Sequence, residues 1–79
     1  MNLDKEPVRA INSVSLSRRE VECIEYLIRG KSFKGIGKIL GLSPRTIEYY
    51  LENIKEKLGI QSKEELIDTA IGNWYQRKE

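Results

Sequence analysis

The sequence predicts an all-α fold: a compact four-helix domain built around a helix-turn-helix. Three observations carry that prediction. First, the run I-G-K-I-L-G-L-S-P-R-T-I at 36–47 reads as two helices joined by a tight turn. Gly37 stands four residues before the turn glycine, Gly41, while Ile36, Leu40, Leu42 and Ile47 supply apolar contacts between the two helices. Second, Ser17/Glu20 and Ser62/Glu65 each form the S-x-x-E pattern that opens a helix. Third, apolar residues recur at spacings of three and four through the chain, and no alternating strand pattern competes.

Each element has its own signals. Residues 1–15 lack sustained periodicity and include Pro7, so they are expected to be a tail or linker, followed by the domain at 16–75 and a charged tail at 76–79. The first helix opens at Ser17, with Leu16 and Val21 in the positions of a hydrophobic staple. Cys23, Ile24, Leu27 and Ile28 form its buried stripe, and Gly30 is its stop. Ser32 caps the second helix, expected over 33–40. Gly35 and Gly37 each weaken that helix by about 1 kcal/mol relative to alanine. Close helix packing accounts for Gly37, whereas nothing in the sequence accounts for Gly35. Ser43 caps the third helix, 44–58, and Pro44 suits its first position, where a missing N–H costs nothing. Ile47, Leu51, Ile54 and Leu58 make one apolar face with Tyr50 at its border, and Gly59 ends the helix. The fourth helix runs to about Trp74 and is expected to turn Leu66, Ile67, Ala70, Ile71 and Trp74 inward.

Composition narrows the function. A chain of 79 residues holds one domain. A core of that size contributes only about 3–5 kcal/mol, so self-association adds useful stability. A single cysteine and no histidine rule out an internal disulfide and a Cys/His metal site, and no metal or other cofactor is expected. Cys23 at a buried helical position reads as a small hydrophobe rather than a reactive thiol. No apolar run approaches the roughly 20 residues that cross a bilayer, and the first residues are too polar for a secretory signal. A cytoplasmic protein without membrane contact is therefore expected. No nucleophile has a base at a legible spacing and no glycine loop cradles phosphate, so an enzyme is not expected, nor is a small-molecule ligand.

Charge points elsewhere. Arg29, Lys31, Lys34, Lys38 and Arg45 stand between residues 29 and 47 with no acid among them. That segment carries +5 against +2 for the whole chain, leaving −3 on the remainder. The run coincides with the helix-turn-helix, a unit whose second helix can lie in the major groove of DNA. Removing the buried stripe of the third helix leaves Arg45, Glu48, Tyr49 and Glu52 on one face at i, i+3, i+4, i+7. Arg45 suits guanine or a phosphate, the glutamates suit the exocyclic amine of cytosine, and Tyr49 suits a thymine methyl or a phosphate. The alternative for the two glutamates is a solvated helix surface. Lys31, Lys34, Lys38 and the amides that open helices two and three are candidate phosphate contacts. Thr46 can bind phosphate or make a local bond. Lys55 and Lys57 are expected in solvent or at the DNA flank.

Taken together, L-S-R-R-E at 16–20, the spaced Gly30, Lys34 and Ile36, S-P-R-T-I-E-Y-Y at 43–50 and N-I-K-E-K-L-G-I at 53–60 resemble the LuxR-type (GerE-like) DNA-binding domain of bacterial transcription regulators. The resemblance spans about 15–71. It implies a third helix in the major groove, a fourth helix forming a homodimer seam, and double-stranded DNA with inverted repeats as the partner. The family's base-reading positions fall on Glu48, Tyr49 and Glu52, and its phosphate contacts fall near Ser32, Phe33, Lys34, Ser43 and Thr46, with Lys55 among the contributing helix-three bases. The seam would involve Leu66, Ile67, Ala70 and Trp74, and RNA polymerase is a further candidate partner. The chain departs from the family pattern at Phe33, which cannot donate to phosphate, at Gly35 and Gly37, and at Glu48, where many members carry a base. Two other readings share parts of the pattern: a sigma factor region-four-like promoter module, and a protein-interaction module that keeps the fold without binding DNA. The K-L-G-I exit and the complete fourth helix favour the LuxR type over the first.

Overall fold

Helix starts organise the chain. The structure is a computed structural model that describes residues 9–75. The expectations attached to Pro7 and to the charged tail at 76–79 lie outside the described residues. Helix α1 (Arg18–Ile28) carries a complete capping box: Ser17 Oγ accepts from the Glu20 N–H at 3.2 Å, and the Glu20 carboxylate accepts from the Ser17 N–H at 2.9 Å. Helices α2 (Phe33–Leu40) and α3 (Pro44–Leu58) follow, each capped by the expected serine. In α4 (Lys63–Trp74), Ser62 Oγ accepts from the Glu65 N–H at 3.0 Å, but the Glu65 carboxylate takes the N–H of Gln61 at 3.4 Å. The cap is therefore not fully reciprocal. Ser62 has φ −127°, against −72° at Ser17, where the box is complete.

One core joins the four helices. It contains Cys23, Ile24 and Leu27 of α1, Ile36 of α2, Ile47, Leu51 and Ile54 of α3, and Leu66 and Ala70 of α4. Burial pushes the Cys23 thiol up to about 11, which keeps it protonated and inert. Ile71, expected to face inward, is 38% exposed.

Residues 10–15, expected to belong to a tail or linker, form a small hairpin. Strands β1 (Ala10–Ile11) and β2 (Val14–Ser15) pair antiparallel, with Ile11 opposite Val14. Asn12 and Ser13 make the turn at φ 50° and 70°, the conformation of the tight hairpin turns. Ile11 is fully buried, so the hairpin is a lid on the core. The end of α4 holds it there. The Trp74 indole N–H donates to the Ala10 carbonyl at 3.0 Å, and Asn12 and Asn73 exchange two hydrogen bonds at 2.9 and 3.2 Å. Arg9 lies 4.9 Å from the Trp74 ring centre and pairs with Glu25 at 2.7 Å. Two-residue strands leave no periodicity for sequence to reveal.

Lys57 is exposed, as expected, but its charge is engaged. Its ammonium donates to both oxygens of Glu20 at 2.9 and 3.0 Å, tying α1 to the end of α3. Burial raises the Glu20 pKa, but hydrogen bonds from Lys57 and the Ser17 backbone outweigh it and leave the carboxyl below its ordinary value. A carboxylate lowered in this way stabilises the fold above its unfolded-state pKa, and the benefit disappears as pH falls through the folded-state value. Glu20→Gln should therefore cost about 1–2 kcal/mol in urea unfolding at neutral pH, with the gap to wild type closing at acid pH. A constant gap across that range would separate the loss from the charge.

The two α2 glycines should behave oppositely. A Cβ on Gly37 would strike the carbonyl oxygen of Leu42, which is backbone and cannot swing aside. A Cβ on Gly35 would meet only Ser32 Oγ at 3.4 Å and Lys31 Cβ at 4.0 Å. Gly37→Ala is expected to destabilise by about 1–3 kcal/mol, and Gly35→Ala to stabilise by about 0.5–1 kcal/mol, in thermal or urea unfolding.

Candidate nucleic-acid interface

Beside the apolar contact of Ile36 and Ile47 in the core, backbone meets backbone where α2 packs on the turn that leads to α3. The Leu42 N–H donates to the Gly37 carbonyl at 2.8 Å, and Gly41 turns the chain with φ 74°. Only a residue without Cβ lets the α2 backbone come this close to the turn. Ser43 then opens α3, its Oγ accepting from the Thr46 N–H at 3.1 Å and lying 3.0 Å from Thr46 Oγ1. One of these two hydroxyls donates to the other, so the acceptor keeps a proton for an outside oxygen. Ser32 Oγ similarly accepts from the Gly35 N–H at 3.0 Å and retains its own proton to donate.

Burying Ile47, Leu51 and Ile54 turns the opposite side of α3 outward. Arg45, Glu48, Tyr49 and Glu52 are all exposed and line one shallow, open depression. The structure thus gathers the four candidate base readers onto one surface. Tyr49 is 64% exposed, its ring edge-on to Tyr50 at 6.3 Å. Such exposure of a large ring is costly in water and is relieved by a partner surface.

The cations divide into two sets. Lys55, a candidate phosphate contact, is instead paired with Glu52 at 3.0 Å, its side chain only 19% exposed. Lys57 is engaged by Glu20. Lys31, Lys34, Lys38 and Arg45 are exposed and have no carboxylate partner among the described residues. Helices α2 and α3 also lack acids in their first turns, so Lys34 and Arg45 add to the positive ends of both helix dipoles. A folded protein gains nothing from charges stacked in this way, but a polyanion does.

The inward face of the fourth helix holds at Leu66 and Ala70, and that bears on the seam. Leu66 and Ala70, two candidate seam residues, are fully buried in their own core and unavailable to a partner. Their burial follows from the i, i+4 spacing that faces them to α1. Ile67 is half-buried, and Trp74 is held beneath the hairpin. The outward apolar groups at this end are Ile71 and Tyr75. Sequence reasoning also missed Lys63, whose ammonium lies 5.7 Å from the Phe33 ring centre. Its one legible signal was a cation at the first position of a helix, where the dipole disfavours it.

No described helix is long and apolar enough to cross a membrane. The profile described as bacterial regulatory proteins, luxR family, matches residues 14–70. The transcriptional activator protein LuxR of Aliivibrio fischeri is 41% identical over 56 residues, covering 71% of this chain and 22% of its own length. The transcriptional regulatory protein UhpA of Escherichia coli strain K12 is 37% identical over 59 residues, 75% of this chain and 30% of its own. The Fimbriae Z protein of Salmonella typhimurium is 42% identical over 66 residues, 84% of this chain and 31% of its own. The chain thus corresponds to less than a third of the length of these three relatives. No solved structure gives a significant match. A helix-turn-helix closed by Gly37 and Gly41, a basic surface around it and a family match over most of the described residues lead to one conclusion: the chain belongs to the luxR family of bacterial regulatory proteins and carries that family's DNA-binding helix-turn-helix domain.

Proposed function

We propose that this chain reads double-stranded DNA sequence-specifically in the cytoplasm, with α3 in the major groove. The observation that carries this is the single exposed surface shared by Arg45, Glu48, Tyr49 and Glu52, flanked by cations without carboxylate partners. Arg45 pairs with guanine or grips the backbone beside it, the two carboxylates accept from cytosine amines, and Tyr49 covers a thymine methyl. Lys31, Lys34 and Lys38, with the hydroxyls of Ser32, Ser43 and Thr46, hold phosphates and fix the register. Glu48 and Glu52 repel the backbone everywhere, and that cost is recovered only where a matching donor faces them.

The functional unit is a dimer on an inverted repeat, since one short helix reads too few bases for useful discrimination. Its seam uses the outward side of α4 at Ile71 and Tyr75, with Ile67 at the margin, in place of the buried Leu66 and Ala70. Control of transcription then follows from occupancy near a promoter, where RNA polymerase is the natural further partner.

Selection of bound sequences from random duplexes, with salt titration of the selected and a random duplex, tests this reading. Lys34→Ala should weaken both duplexes alike, whereas Glu52→Ala should flatten preference at one base pair by about 1–3 kcal/mol and leave random-duplex binding equal or stronger. Absence of binding to any duplex would favour a protein-interaction module instead. Ile71→Glu should lower the dimer fraction in sedimentation about tenfold or more while leaving the monomer folded, because it places a charge in an apolar seam. An unchanged association constant would put the seam elsewhere.

A further inference from the structure

The position before the α2 lysine is Phe33, a residue with nothing to donate to a phosphate. Its ring is half-buried and forms one wall of a small cleft whose other lining residues include Leu51, Glu52, Lys55, Lys63 and Leu66. Glu52 belongs both to this cleft and to the depression on the outward face of α3. The cleft therefore continues the same surface from α3 towards the start of α4.

Two lysines stand in that cleft, and their situations differ. Lys55 has its charge met by Glu52 at 3.0 Å. Lys63 is exposed and has no carboxylate partner among the described residues, although Glu64 and Glu65 follow it directly. It also occupies the first position of α4, where the helix dipole opposes a cation. What holds it is the face of Phe33, 5.7 Å away. A ring attracts an ammonium without neutralising it, so the full charge stays available to an anion.

We propose that Lys63, seated on Phe33, is a DNA phosphate contact, and that the Phe33–Lys63 pair supplies from α4 the donor that Phe33 cannot supply from α2. The pair would extend the cationic edge of Lys31 and Lys34 onto a third helix, gripping the strand that passes the Glu52 end of the reading surface. This rests on the DNA-binding reading above and adds a contact residue to it.

The test is a salt titration of the full chain on a random-sequence DNA duplex, with unfolding curves to check each variant. Lys63→Met should fold normally and lower the slope of log affinity against log salt by about 0.9 per bound protomer. Since one slope difference of that size accumulates over a decade of salt, binding at 0.1 M should be about eightfold weaker, equally for selected and random duplexes. Lys63→Gln should match it, and Lys63→Arg should restore the wild-type slope. A wild-type slope in both charge-removing variants, or a loss confined to particular sequences, would overturn this contact alone. Failure of the wild-type chain to bind any duplex would overturn it together with the reading beneath it.

Discussion

Contact between the backbones at Gly37 and Leu42 sets everything that α3 presents to the outside. The turn is closed by a hydrogen bond of 2.8 Å, and any side chain at residue 37 would collide with the Leu42 carbonyl. With α2 held there, Ile36 and Ile47 are both sealed from solvent, and the rotation of α3 about its own axis is fixed by Ile47, Leu51 and Ile54. Arg45, Glu48, Tyr49 and Glu52 then have no freedom to face anywhere but outward. The proposed reading surface is thus a consequence of core packing, and a glycine that weakens its own helix is what permits it.

A second layer of order comes from the way charge is distributed between internal and external use. Glu20 satisfies the α1 cap and the Lys57 ammonium at once, which fixes the far end of α3 against α1. Arg9 is engaged by Glu25 and by the Trp74 ring, closing the hairpin over the end of α4. These contacts use cations for architecture. Lys34, Arg45 and Lys63, at the openings of α2, α3 and α4, sit where helix dipoles make a positive charge least comfortable. Their placement costs the isolated fold stability and suits an anionic surface, which is why the proposed interface lies on this side of the molecule.

Local chemistry was legible in the sequence because it is local. Serine caps, terminal glycines and apolar stripes of period 3.6 act within one or two turns, and α2 and α3 begin and end where those signals place them. The outward set on α3 was legible for the same reason, as it is what remains once the buried stripe is removed. The misses share a different character. Trp74 with Ala10, Asn12 with Asn73 and Glu20 with Lys57 join residues far apart in the chain, and no periodicity encodes such pairs. Leu66 and Ala70 show the limit of an apolar pattern: it says which side of a helix avoids water, but not whether the cover is the same chain or another. Gly35 remains without a structural requirement, since a Cβ there would make only ordinary contacts with Ser32 and Lys31.

The acidic residues on α3 give the proposed interface its logic. A helix bearing only cations would bind every duplex well, because phosphates are present in every sequence. In the proposed complex Glu48 and Glu52 would subtract a nearly uniform amount from every sequence and return it only where an amine donor is correctly placed. Lys55 pairs with one Glu52 oxygen, and in that complex the other would accept from a base edge. Cations at the helix starts would supply the general attraction that keeps the acidic face near DNA long enough to sample sequences. The two charge sets meet at Arg45, which opens α3 and lines the same depression as Glu48 and Glu52, so attraction and discrimination would act on one stretch of DNA.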